Sequence, residues 1–198
     1  MKIAIIGAGN MGGAVARGLA KGTLIATSDI YVANPSTPKL EALKSEFPEI
    51  NTTTDNRSAA AAADLIILAV KPWKVEHVIE ELKPHLDYTR QAVASMIGGL
   101  GMAQLVEWLS KEGQRRPTAY IIIPNTAIAT MSSMTFIASS HATTEQEREL
   151  VDIFGELGRA MLIEESAMPA ATSLASCGIA YALRYIRAAM EGGVELGI

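Results

Sequence analysis

Residues 2–22 read KIAIIGAGNMGGAVARGLAKG, an apolar run followed by three glycines, Gly7, Gly9 and Gly12, and then an alanine-rich helical stretch. Few features constrain a chain more. Spaced G-x-G-x-x-G between a strand and a helix, the glycines predict a βαβ unit with a dinucleotide fingerprint. Gly7 permits the tight turn, Gly9 lets a pyrophosphate approach the backbone, and Gly12 lets the helix pack on the strand. Free N–H groups and the helix dipole then favour a diphosphate. A glycine-rich turn without ligand is the alternative reading.

The rest of the chain extends that unit. Apolar runs at 3–6, 29–34, 50–53, 65–70, 91–96, 118–123, 134–139 and 159–164 read as strands. Between most of them, 10–21, 37–47, 59–63, 75–82, 102–110 and 144–158 read as helices. Strands alternating with helices predict an α/β fold with a Rossmann-type parallel sheet. LIILAV at 65–70 is uninterrupted, as a central strand buried on both faces requires. After Glu165 only small and apolar residues at helical spacing follow. The expected division is therefore 1–164 for a dinucleotide-binding domain and 165–198 for the start of a helical, dimerising domain. Met168, Leu174, Ala182, Ile186 and Met190 form the stripe that suggests the dimer interface.

Composition excludes several classes. With 49% hydrophobic and 19% charged residues, the chain is ordinary for a globular protein. A net charge of −4 argues against a nucleic-acid partner. No apolar run reaches the ~18 residues of a membrane span. Cys177, the single cysteine, permits no internal disulfide and reads as packing rather than as a nucleophile. The N-terminus enters a strand pattern without a signal-peptide layout, so a cytoplasmic protein is expected. No metal site is expected.

Candidate cofactor contacts follow from the carboxyl ends of the strands, where ligands of open α/β sheets lie. Asn34 ends the second strand where NAD-selective sites carry an acid. An amide does not repel a 2′-phosphate, and Ser36, Thr37 and Lys39 follow, so NADPH is favoured with NADH as the alternative. Ser36 or Thr37 can equally cap the next helix. Ala69, Val70, Lys71 and Pro72 end the central strand, although Lys71 also reads as a solvated lysine. Asn56 can cap a helix or touch the adenosine half. Trp73 can shield a redox ring or pack on the next helix. His77, His85 and His141 are scattered, and no acid–base residue stands out. Thr172 and Ser176 read as the start of the last helix, capping it or meeting an anion.

GAGNMG, ANPS, LAVKPW, SMIGGL at 95–100, IPNTA at 123–127 and the Glu165–Met168–Thr172–Tyr181 spacing together resemble pyrroline-5-carboxylate reductase over almost the whole chain. The resemblance implies NAD(P)H-dependent reduction of 1-pyrroline-5-carboxylate to proline, and a homodimer or higher oligomer built on helices. It places Ile6, Gly7, Ala8, Gly9, Asn10 and Met11 at the pyrophosphate, with Gly12 closing the same cofactor turn, and Asn34 and Ser36 at the adenine ribose and its phosphate. It places Asn56 at the adenosine half, Ala69–Lys71 at the nicotinamide half, and Met96 and Ile97 beside the nicotinamide. Hydride addition to a cyclic imine needs a protonated nitrogen, and the cofactor carries the difficult step.

The chain departs from the family pattern at several points. Ile121 and Ile123 stand where the family carries arginine and methionine. Ala175, Ser176, Cys177 and Ile179 alter an LSGSGPAY segment, and Arg187 replaces an acid. The family continues for about 60–80 residues, a helical-domain length, including an SPGGTT substrate loop that this sequence lacks. The 198-residue form is therefore expected to bind cofactor with little or no turnover. A nucleotide-binding protein without catalysis, or a reductase of another small imine or keto acid, are the alternative readings.

Overall fold

The structure, a computed structural model, describes residues 1–198. Eight strands form one sheet in the order β3-β2-β1-β4-β5-β6-β7-β8. Along the chain, β1 (Ile3–Ile6) leads to α1 (Asn10–Lys21), β2 (Ile30–Ala33) to α2 (Thr37–Glu46), and β3 (Asn51–Thr53) to α3 (Asn56–Ala62). Next come β4 (Leu65–Leu68), α4 (Val75–Leu82), β5 (Ala92–Ser95), α5 (Met102–Leu109) and β6 (Thr118–Ile123). Then follow β7 (Ser133–Ser140), α6 (Thr144–Glu156), β8 (Gly158–Leu162), α7 (Met168–Ala171) and α8 (Gly178–Glu195).

The two-residue period of the strands sorts the core into two layers. Ile3, Ile5, Leu65 and Ile67 face α1, α2 and α6, packing with Val15, Leu19, Leu43 and Phe154. Ala4, Ile6, Ile66 and Leu68 face α3, α4 and α5, packing with Ile79, Leu82, Leu105 and Leu109. Every residue of β1 and β4 is buried, which is why their sequences are continuous apolar runs. The α6 N-terminus carries a capping box: the Gln146 N–H donates to Thr143 Oγ1 at 3.2 Å, and the Thr143 N–H to Gln146 Oε1 at 2.9 Å.

The sheet is parallel except at one pair, β6 with β7, which runs antiparallel from Ala119↔Ser140 to Ile123↔Phe136. The link at 124–132 holds only a 3₁₀ turn, Thr126–Thr130. It falls short of the dozen or more residues that a parallel crossover needs. Through α6 the chain then crosses over again, and β8 pairs parallel with β7.

Beyond β8 the character changes. A 3₁₀ turn (Glu165–Ala167), α7, a π-type turn (Thr172–Cys177) and α8 follow without a break. Helical geometry thus starts before Thr172, so the expectation that Thr172 and Ser176 open the last helix is corrected. The Thr172 hydroxyl donates to the Met168 carbonyl one turn back, at 2.7 Å, a bond made inside a helix rather than at its start. Met168 is buried, but no residue of α8 is. No helix is long and apolar enough to cross a membrane.

Candidate cofactor site

The turn between β1 and α1 is shaped by contact with the end of β4. Gly7 has φ +111°, and a Cβ there would lie 2.6 Å from the Ala69 carbonyl oxygen. A Cβ on Gly12 would run into the Gly7 carbonyl and the Ala69 methyl group. Gly9 is different, because nothing in the protein lies within 4 Å of a Cβ built on it. Its open side is the approach path to α1. The first-turn amides of α1, from Gly9 to Gly12, have no acceptor in the protein, and no side chain caps the helix. The amides and the open space together fit an anion such as a diphosphate.

Ala8 is the exception in this turn. Its N–H donates to Asn34 Oδ1 at 3.1 Å. The Asn34 Nδ2 donates in turn to the Ser36 carbonyl (2.9 Å) and the Ser36 hydroxyl oxygen (3.0 Å). Asn34 therefore staples the glycine turn to the loop before α2, with each polar atom engaged. Ser36 occupies the N-cap position of α2 but caps with no side-chain bond. Its hydroxyl accepts from Asn34 and keeps its own proton free to donate.

A cleft of about 530 Å³ opens over these carboxyl ends, where the strand order reverses between β1 and β4. Such a volume suits a small-molecule ligand, and the position is the switch point at which doubly wound sheets bind ligands. Gly7, Gly9, Asn10 and Met11 line it from the glycine turn, and Asn34, Pro35, Ser36 and Lys39 from the end of β2. Ala69, Val70, Lys71 and Lys74 follow from the end of β4, and Met96 from that of β5. Three lysines and no carboxylate make the lining electropositive. A second hollow of about 370 Å³, between α1 and α2, is shared by Ala8, Gly9, Gly13, Arg17 and Lys39.

Arg17 is not a free cation. Its Nε and Nη2 both contact the Glu46 carboxylate at 2.7 Å. That hydrogen-bonded pairing raises the guanidinium above its usual range and holds the Glu46 carboxyl below its own. Lys74 is a cleft residue that reading the sequence did not single out. The only signal for it was the second lysine of KPWK, three residues after Lys71.

Other expected contacts lie off the cleft wall. Ile6 is buried, and its carbonyl accepts the Ala69 N–H at 2.9 Å. Gly12 serves packing. Pro72 opens a 3₁₀ turn, and Trp73 is 77% exposed. Ile97 is buried, with its N–H on Ser95 Oγ at 3.2 Å. Asn56 neither caps nor lines: the cap of α3 is Asp55, whose carboxylate accepts the Arg57 N–H, while the Asn56 amide donates to Glu81 at 3.1 Å. None of the three histidines reaches the cleft; His141 sits beside Ser140 and Arg116 instead.

The comparisons with known proteins agree in kind. Residues 2–99 match the family described as NADP oxidoreductase, coenzyme F420-dependent. A pyrroline-5-carboxylate reductase 2 of Dictyostelium discoideum is 34% identical, over 98% of this chain and 68% of its own length. A pyrroline-5-carboxylate reductase of Methanosarcina acetivorans is 31% identical, over 100% of this chain and 71% of its own. Among solved structures, the Plasmodium falciparum pyrroline carboxylate reductase with NADP bound is 26% identical with a TM-score of 0.87. It is matched over 100% of this chain and 71% of the solved chain.

Proposed function

The chain belongs to the pyrroline-5-carboxylate reductase family, and on that premise we propose that it reduces 1-pyrroline-5-carboxylate to proline with NADPH as the hydride source. The observation that carries the reading is the cleft itself. Unmet amides sit over an open Gly9, at the switch point of the sheet, and three lysines stand there without an acid. When bound, the reduced nicotinamide supplies hydride to the imine carbon. The protein's part is to hold, orient and exclude water.

In this reading the amides of Gly9–Gly12 take the diphosphate. Ser36 and Lys39, next to the Asn34 staple, take the 2′-phosphate. Ala69–Lys71 and Met96 border the ring half. Residues 1–164 form the cofactor domain, and 165–198 form a helical part that pairs two or more copies in the cytoplasm. Support for pairing is the apolar face of α8, where Leu183, Ile186, Met190 and Val194 are each more than half exposed.

The test is direct. Full-length protein given NADPH and 1-pyrroline-5-carboxylate should consume the cofactor's absorbance band and yield proline. Saturable NADPH binding without oxidation by this or any related imine would leave a binding protein, not a reductase.

A further inference from the structure

The loop from β5 to α5 runs beside the cleft, with Ile97 and Leu100 buried in the second core layer and two glycines between them. Met96 stands in the cleft wall, and its N–H donates to the Leu68 carbonyl at 3.0 Å, fixing the near end. Gly98 and Gly99 follow; Gly99 has φ +86°, and a Cβ on either would meet nothing within 4 Å. The far end is α5, which has no cap of its own: Gly101 occupies the N-cap position and no acid stands in the first turn.

The missing cap comes from elsewhere in the chain. Glu165 Oε1 accepts the Met102 N–H at 2.6 Å, across 63 residues of sequence. A carboxylate at a helix N-terminus meets both an orphan donor and the positive end of the dipole. Glu165 joins no ion pair within the chain, and this is the single hydrogen bond of its side chain. It opens the 3₁₀ turn that leads to Met168, the buried residue with which the helical segment enters the second core layer. One contact thus ties the start of the helical segment to the loop carrying Met96.

We infer that Glu165 is a positioning residue for the redox-ring half of the cleft, holding the Met96–Gly101 loop by capping α5 from the helical segment. The inference rests on the reductase reading. It makes the helical segment a determinant of how the cofactor domain holds its ring, before any substrate residue acts. A simple cap would affect stability alone; a positioning residue affects one half of the ligand.

The test uses the full protein, with Glu165→Ala, Glu165→Asp and Glu165→Gln. Two probes are titrated: NADPH, followed by its own fluorescence, and adenosine 2′,5′-bisphosphate, which covers only the adenosine half. A loosened ring half is expected to lose about fivefold in affinity, about 1 kcal/mol. Glu165→Ala should therefore weaken NADPH about fivefold and lower the bound-ring fluorescence, while the bisphosphate binds as in wild type. Glu165→Gln keeps an acceptor oxygen and should stay within about twofold of wild type. Glu165→Asp, one methylene short, should reproduce the alanine pattern at smaller amplitude and covers the case in which alanine does not fold. Equal weakening of both probes, no weakening of either, or glutamine behaving like alanine overturns the inference. Wild-type protein that never saturates with NADPH would instead remove the reductase reading beneath it.

Discussion

The strand-and-helix unit and α8 use apolar residues in opposite ways. In the first, β1 and β4 are wholly buried, and helices of the same chain cover both faces of the sheet around them; among the strands, exposed apolar side chains remain only at the edge strand β8. In α8, no residue is buried, and Tyr185 and Met190 stand 76% and 67% exposed. The first region covers its central strands itself; the second carries an apolar face that the chain alone does not cover. Ligand chemistry collects in the self-contained region, where backbone positions are set by packing on both sides. Contact chemistry collects in the other.

The sharpest way to break this contrast is at the glycine turn. Gly12→Ala forces a methyl group into the Gly7 carbonyl and should cost at least about 2–3 kcal/mol, with loss of NADPH binding. Gly9→Ala has open space and should change stability by less than ~1 kcal/mol, yet its methyl intrudes where a diphosphate would lie. Binding should fall on the order of tenfold or more. Thermal melts paired with NADPH titrations separate the two. A Gly12→Ala protein that melts like wild type would mean that β1, α1 and β4 do not pack as described.

On the other side of the contrast, lysines at Ile186 and Met190 should act on assembly alone. The double variant Ile186→Lys and Met190→Lys should shift sedimentation toward smaller species, with association weakened at least about tenfold. NADPH affinity should stay within about twofold, because the cleft is built from residues before 97. An unchanged sedimentation profile would remove α8 as the pairing face.

How much of this was legible beforehand depended on how local the cause was. The eight strands and the cofactor turn follow from period, apolar runs and three glycines, all readable within a few residues. The reversal at β7 was not read, because it depends on a short link rather than on the strand's own residues. The capping alternative for Asn56 fails because Asp55, one residue earlier, takes the cap and leaves the amide to Glu81. Asn34 was placed correctly at the strand end, but its commitment to Ala8 and Ser36 is a three-way contact that no spacing rule encodes. The Glu165–Met102 bond, spanning 63 residues, was beyond any local signal.

A smaller effect tests the cleft's own charge. Lys39 borders both the main cleft and the hollow by Arg17, while Arg17 is taken up by Glu46. Lys39→Ala should weaken NADPH about fivefold and leave NADH within about twofold, since one screened charge near a phosphate is worth about 1 kcal/mol. Equal losses for both cofactors would place Lys39 at the diphosphate instead.

A smaller effect again concerns how the self-contained region is tied at its rim. Glu156, at the end of α6, accepts from the Thr23 hydroxyl and from the Leu24 and Thr23 N–H groups in the loop after α1. The Thr23 hydroxyl bond leads in holding its carboxyl below the usual range, with the Leu24 N–H next. A carboxyl depressed in the folded state stabilises the fold above its unfolded pKa of about 4.3, and that contribution is lost as pH falls through the lower folded value. Because the group is near the surface, the contribution is under ~1 kcal/mol. The difference in melting temperature between wild type and Glu156→Gln should therefore be flat from about pH 8 to 5 and shrink below about pH 4. Breaking the Arg187–Glu191 pair on α8, exposed on both sides, should move the melting temperature less still, since such pairs are worth about 0.5 kcal/mol or less. A Glu156→Gln difference that persisted undiminished in acid would show that shape, not charge, holds the loop to α6.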